Sequence, residues 1–198
     1  MASQGIAGAS DQDVIKWALE GHEPAYRELI RRYQRPIFSL IYRMVRDREL
    51  AEDLAQETFI KALNALDTYR PEFKFSSWLF KIANNAAIDH LRKKELHTLS
   101  LEGAPDAPAG DREGQPLQIA DRTETPHDEF EAKELGSAIE RAIGALRPEY
   151  RQCILLRHVE GRPYEEISEI TGLPLGTVKT FIHRARAQLK EALEPLRE

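Results

Sequence analysis

The chain has 198 residues, 41% of them hydrophobic, enough for one domain or two small ones with a buried core. A formal net charge of −5 argues against a protein that coats nucleic acid non-specifically, but not against a local basic face that reads it, because the field at a docking surface counts for more than the total. The single cysteine, Cys153, excludes a disulfide framework and a thiolate metal cluster. The N-terminus has no basic region ahead of an apolar core, and no apolar run approaches the ~20 residues of a membrane helix, so the expected location is the cytoplasm.

Residues up to about Ala9 read as a loose tail. Ser10 is placed to cap a helix through Glu20, with Gly21 as its stop. A second helix begins near Pro24, a favoured first-turn residue, and carries Tyr26, Leu29, Ile30, Tyr33, Ile37, Phe38, Ile41 and Met44 at helical spacing. Pro36 inside it is expected to kink it or remove one hydrogen bond. Asp47 caps a third helix, roughly Arg48 to Leu66, with Leu50, Leu54, Phe59, Ile60 and Leu63 expected inside. The loop DTYRPEFKF follows, and Ser76 is expected to cap a fourth helix to about Lys94. No alternating strand pattern appears. The expectation is a compact all-α domain over residues 10–95.

Residues 96–125 are rich in Pro, Gly, Ala and acid and poor in large apolar side chains. Such a segment buries too little surface to offset chain entropy, and reads as a flexible acidic linker. Thr125-Pro126 restarts helix, with Phe130, Leu135, Ile139, Ile143 and Leu146 on one face. Arg147-Pro148 breaks it. Cys153, Ile154, Leu156 and Val159 are expected to line the buried side of the next helix, and Gly161 to stop it. Tyr164 to Thr171, the stop at Gly172, and a longer periodic segment from about Leu175 to Leu193 have the form of a helix-turn-helix. This gives a second small helical domain over residues 126–196.

The chemistry lies in three stretches. The outer side of the third helix carries Glu49, Glu52, Asp53, Gln56 and Glu57, which fits a basic protein partner or a solvated face; no metal-ligand spacing accompanies it, and no metal or other cofactor is expected. Tyr69, Phe73, Phe75, Trp78 and Phe80 are interleaved with Arg70, Lys74 and Lys81, followed by Ser76, Ser77, Asn84 and Asn85. Cations that neutralise phosphates beside rings on which unstacked bases pack are what single-stranded nucleic acid requires; the alternative is that these rings are core. No acidic residue occurs from Gly172 through Lys190, and the second helix of the helix-turn-helix presents Lys179, Thr180, His183, Arg184 and Arg186, as major-groove reading would require. No nucleophile signature, phosphate loop or zinc motif points to an enzyme. A dimeric repressor or a helical adaptor would share parts of this pattern.

Together, RELAEDLAQETFIKAL, then FSSWLFKIANNAAIDHLRK, a linker, and YEEISEITGLPLGTVKTFIHRARAQL resemble a bacterial RNA polymerase sigma factor of the extracytoplasmic-function group. The resemblance implies a non-enzymatic protein that gives core polymerase its promoter choice. Glu49, Glu52, Asp53, Gln56, Glu57 and Phe59 would dock on the clamp helices of the β′ subunit, with further contact to β. Tyr69, Phe73, Lys74, Phe75, Ser76, Trp78, Lys81, Asn84, Asn85, Asp89 and Arg92 would recognise the minus-ten element and hold its strand melted. Gly176, Thr177, Lys179, Thr180, Phe181, His183, Arg184 and Arg186 would face the minus-thirty-five duplex. Members of the group are commonly held inactive by an anti-sigma factor. Two departures stand out: Phe181 replaces the usual arginine, and Pro71-Glu72 replace small loop residues, so base preference at both elements is this chain's own.

Overall fold

Ser10 caps the first helix as expected: its hydroxyl accepts from the Asp13 amide at 3.2 Å, α1 runs Asp11–Leu19, and Gly21 turns the chain at φ +86°. This is a computed structural model, and it describes residues 6–101 and 126–196. The linker expected at 96–125 lies outside the described residues, apart from 96–101, which continue a helix.

Helix α2 spans Glu23–Val45, with Pro24 in its first turn and Pro36 inside it. It ends at Arg46, whose left-handed backbone (φ 58°) lets its amide donate to Tyr42 O at 2.7 Å. The Asp47 carboxylate accepts from the Leu50 amide at 3.1 Å and starts α3, Arg48–Asn64; a 3-10 turn follows at Leu66–Thr68. Helix α4 spans Phe75–Leu101. Ser76 therefore lies inside its first turn rather than at the cap. The helix also outruns the expected end at Lys94, because ELHTLSL holds no Gly or Pro to stop it. Helices α5 (Pro126–Ala145), α6 (Pro148–His158), α7 (Tyr164–Thr171) and α8 (Leu175–Leu193) complete the order, with a final 3-10 turn at Glu194–Leu196. Thr125, expected to cap α5, is outside the described residues. Among the described residues there is no strand, and no helix is long and apolar enough to cross a membrane.

In the first half, Leu29, Ile37, Ile41 and Met44 of α2 meet Ala51, Leu54 and Ala62 of α3 and Leu79, Phe80 and Ala83 of α4, all buried. The alanines at these crossings let backbones approach closely. Thr58, fully buried in α3, donates its hydroxyl to Leu54 O at 2.7 Å, which removes the penalty of a buried polar group. Residues 6–9 are less loose than the composition suggests, because Arg32 Nη2 donates to the carbonyls of Ile6 (3.0 Å), Ala7 (3.2 Å) and Ala9 (2.8 Å).

The helix-turn-helix is built as expected. Ile167, Ile170, Val178, Ile182 and Ala185 form its buried seam, with Leu173 and Leu189 half-buried at its ends. Gly172 adopts φ +71°, a conformation that costs a glycine nothing.

The apolar core runs without a break through both halves. Helix α4 packs on α7, and α2 packs on α5 and α6. Arg151 of α6 is buried and donates to Met44 O at the end of α2, to Gly144 O in the last turn of α5 and to Leu146 O (2.9 Å) just beyond it. Burial, with the nearby Arg46 charge, pushes its pKa down to about 10. Arg46 Nη1 donates to Glu140 O at 2.8 Å and passes where a Cβ on Gly144 would stand, 1.7 Å away. Arg43 pairs with Glu140 at 2.9 Å.

Candidate nucleic-acid interface

The acidic side of α3 is solvent-exposed at Glu49, Glu52, Asp53, Gln56 and Glu57. Two of these carboxylates are paired along the helix, Glu52 with Arg48 (3.0 Å) and Glu57 with Lys61 (2.7 Å). The Lys61 ammonium holds the Glu57 carboxyl below its usual range. Exposed pairs of this kind contribute little stability and are easily traded for a partner's charges. Ile60 departs from expectation: it is 54% exposed instead of lying inside. With Ile30, Phe38, Phe59 and Leu63 it lines an apolar groove of about 520 Å³ between α2 and α3, rimmed by Arg35, Glu52 and Gln56. An open apolar strip with a polar rim is the anatomy of a protein-docking surface.

The loop before α4 and that helix's first turns form an aromatic nest. Phe75 is buried and meets Tyr33 and Tyr69 edge-on, each at 5.4 Å, and Trp78 at 5.6 Å. Tyr69 lies 5.7 Å from Trp78, and its hydroxyl donates to Phe73 O at 2.6 Å, which fixes the loop. Phe73 stands out into solvent at 52% exposure. Between Tyr69, Phe73 and Trp78 opens a hollow of about 360 Å³, floored by Ser77 and edged by Arg70 and Lys81. Rings around a hollow with cations at its mouth can take up an unstacked base while its phosphates stay neutralised. Further along α4, Lys81, Asn85, Asp89 and Arg92 are exposed at successive turns of one face. Asn84 is not with them. It is buried, and its Nδ2 donates to Gln152 Oε1 at 2.9 Å. Ser76 is half-buried and accepts from Arg162 Nη1 at 3.0 Å.

On α8, Gly176, Lys179, Thr180, His183, Arg184 and Arg186 are exposed and Thr177 is half-exposed. Arg186 Nε meets His158 Nε2 at 3.2 Å. Burial and the charges of Arg186 and Arg157 hold the His158 pKa below its usual value, so the imidazole stays neutral and accepts. Phe181 turns inward, its ring 5.0 Å from that of Tyr150.

A sequence model described as sigma-70 region 2 matches residues 29–96, and one described as sigma-70 region 4 matches residues 137–189. The chain is 36% identical over 184 residues to the ECF RNA polymerase sigma factor SigW of Bacillus subtilis, covering 92% of this chain and 96% of that protein. The chain belongs to the sigma-70 family, in its extracytoplasmic-function group. The RNA polymerase sigma-H factor of Pseudomonas aeruginosa is 35% identical, with 94% of this chain and 95% of that protein covered. In fold, the sigma factor is similar to the sigma factor RpoE solved in complex with the anti-sigma factor NepR from Bartonella quintana, with a TM-score of 0.65, 22% identity, and 85% of this chain and 96% of that chain covered. Its function is therefore in transcription initiation, with core RNA polymerase and promoter DNA as partners.

Several residues that line these surfaces carry no plain signal in the sequence. Ile60 shares a helical face with Asp53, Gln56 and Glu57, a signal the wheel of α3 carried but which its apolar side chain masked. Ile30, Gln34, Arg35 and Phe38 complete the groove from α2, and only packing shows them together. Glu166 and Glu169 of α7 lie against the α4 face, and no local pattern announces that.

Proposed function

We propose that this sigma factor docks on the β′ clamp helices, with further contact to the β subunit, through the α2–α3 groove and the carboxylates of α3. It reads the minus-ten element as a captured single strand with the Tyr69–Trp78 nest and the exposed face of α4. It reads the minus-thirty-five element as duplex with α8. The working units are residues 10–95 and 126–196, joined by the segment 96–125. The observation that carries this reading is the presence, in one chain, of a ring-lined hollow edged by cations and a separate helix free of acid from Leu175 through Lys190. A duplex reader alone has no use for the first.

Each DNA contact is weak by itself. Held on polymerase at fixed separation, the second becomes effectively intramolecular, and the local concentration does the work. Base capture offsets an unstacking cost of a few kcal/mol, which biases the duplex toward the melted form. The bond-making chemistry is the polymerase's. The protein acts in the cytoplasm, and an anti-sigma factor is its expected regulator, as RpoE has in NepR.

Run-off transcription with purified core polymerase and genomic promoter fragments tests the reading. Specific initiation that depends on the added protein is the expected result. Absence of specific initiation, together with binding of the isolated protein to a palindromic operator, would overturn it.

A further inference from the structure

Arg186 sits on a flank of α8, not on its outermost line. It follows Arg184 by about 200° around the helix, so the two arginines leave α8 on opposite sides of the buried seam of Val178, Ile182 and Ala185. Each meets a side chain of α6: Arg184 reaches Tyr150 in its first turn, and Arg186 reaches His158 in its last.

The second contact has a defined polarity. Arg186 Nε and Nη2 both point at His158 Nε2, at 3.2 and 3.1 Å. A guanidinium has donors and no acceptor, so Nε2 carries its lone pair and the imidazole proton sits on Nδ1. Two donors on one acceptor fix the plane of the guanidinium and leave Nη1 to donate elsewhere. No acid occurs from Gly172 through Lys190, so no carboxylate in that stretch draws Arg186 away. Arg157, beside His158, is committed elsewhere: its guanidinium lies 4.9 Å from the centre of the Tyr164 ring, and its Nη1 donates to Arg162 O at 3.0 Å. A carboxylate in place of His158 would also hold Arg186, but would offset the charge that draws a phosphate. A neutral imidazole orients the cation and leaves its charge intact.

We propose that His158 is a positioning residue for the minus-thirty-five contact: its neutral imidazole presets Arg186 against a backbone phosphate of the duplex, and protonation of that imidazole releases Arg186 and weakens binding. This rests on the reading of α8 as the duplex-facing helix. A cation on the flank of a recognition helix contributes affinity and register, and leaves base choice to residues nearer the outermost line, such as Thr180 and His183. Presetting counts because an untethered arginine has rotamer freedom that binding must remove. Both side chains are exposed, so the contact itself adds little to folding.

The acid response has a definite sign. Partial burial, then Arg186 of α8 and Arg157 of α6, hold the imidazole pKa below 6.5. The other charged groups around α6 are engaged with one another. Glu160 faces Arg162 and Arg43, Arg43 pairs with Glu140, Arg46 donates to the Glu140 carbonyl, and Glu166 is taken by Ser77, Lys74 and Arg162. The contact is therefore full at neutral pH and is lost as the pH falls through the lowered value.

The test uses holoenzyme, purified core polymerase with the full chain, on a labelled promoter fragment selected by run-off transcription. Closed-complex affinity is measured from about pH 8 to about pH 5, each variant against wild type at the same pH. His183 and the histidines of the polymerase are common to every sample, so the difference between His158 variants isolates this one imidazole. His158→Ala should bind about fivefold more weakly at neutral pH, with base preference and urea midpoint unchanged. His158→Gln keeps an acceptor that takes up no proton. It should restore neutral-pH affinity and hold it in acid, where wild type falls toward His158→Ala. Arg186→Ala should lower the salt slope by about one, and adding His158→Ala to it should change nothing further. Wild-type affinity in His158→Ala, a glutamine variant that behaves as the alanine, or wild-type affinity that rises in acid relative to His158→Gln each overturns the proposal; in the last case the imidazolium holds the phosphate itself. If Arg184→Ala and Arg186→Ala both bind as wild type, the reading of α8 fails. If they weaken binding and His158→Ala does not, the positioning role alone fails.

Discussion

Phe181 packs on Tyr150 with ring centres 5.0 Å apart, and Arg184 Nη1 approaches the hydroxyl of the same Tyr150 at 3.3 Å. At the position where the family resemblance implies an arginine, Phe181 seats α8 on α6, and the tyrosine it seats on also steadies Arg184. Phe181→Ala should therefore cost about 1.5–3 kcal/mol, below the ~3–5 of a fully buried phenylalanine because this one is half-buried. Helix unfolding in urea would show it. The preferred minus-thirty-five bases should be unchanged in a binding selection. Arg184→Ala should do the reverse, with stability nearly kept and upstream promoter binding weakened by about tenfold. A changed base preference in Phe181→Ala would mean that the ring reads DNA directly.

Ile60 gives the proposed polymerase-docking surface a sharper test than its charges do. Single rim carboxylates in water contribute little, whereas a central apolar contact carries much of an interface's energy. Ile60→Asp should weaken core binding by about 2 kcal/mol or more, roughly thirtyfold, with little effect on folding because the side chain is already exposed. Glu52→Gln should cost under about 1 kcal/mol. Fluorescence anisotropy with purified core polymerase measures both. Equal effects would show that the groove is a rim feature and that charge dominates docking.

Acid should weaken the first domain through one residue in particular. Hydrogen bonds from Arg31 and Arg32 hold the Glu28 carboxyl down at about 2, against an ordinary value of 4.5, despite its burial. Arg32 also carries Asp11 and the 6–9 carbonyls, so the pair ties α1 to α2. The folded pKa is the lower one, so this stabilisation is full above pH 4.5 and is lost as the pH falls toward 2. Both tryptophans, Trp17 and Trp78, lie in this half, and their fluorescence follows its unfolding. The urea midpoint of Glu28→Gln should start lower at neutral pH and fall less steeply through the acid window. Parallel curves for the variant and wild type would assign the acid response to another carboxylate.

The helices, their caps and the helix-turn-helix seam were legible because each is written locally: Ser10 and Asp47 at caps, Gly21 and Gly172 at stops, and apolar residues at helical spacing. Phe75 could not be sorted from Phe73 by pattern. They are two residues apart, Phe73 in the loop and Phe75 opening α4, and only the packing of Tyr33 beneath makes Phe75 a core residue and leaves Phe73 exposed. Asn84 and Asn85 posed the same problem, and the difference between them comes from Gln152, 68 positions away. What lay beyond the sequence was the seam between halves. Arg151 capping the carbonyl of Met44 and Glu166 bonding Ser77 are long-range polar contacts with no periodic signature.

Trp78 is the residue on which the melting role can be decided. It is half-exposed, forms one wall of the hollow, and packs on Phe75 behind it, so its ring is both held and accessible. Base–ring stacking contributes about 1–3 kcal/mol by alanine substitution, enough to shift a marginal melting equilibrium by roughly tenfold or more. Trp78→Ala should leave core binding and closed-complex formation near wild type while lowering open-complex formation on duplex promoters by about that factor. Permanganate reactivity of unpaired thymines follows opening, and filter binding follows the closed complex. The loss should disappear on templates premelted at the minus-ten element, since the stack is then no longer needed to extrude the base. A defect that persists on premelted templates would place Trp78 in the domain's packing instead, and a lowered urea midpoint for the same variant would accompany it.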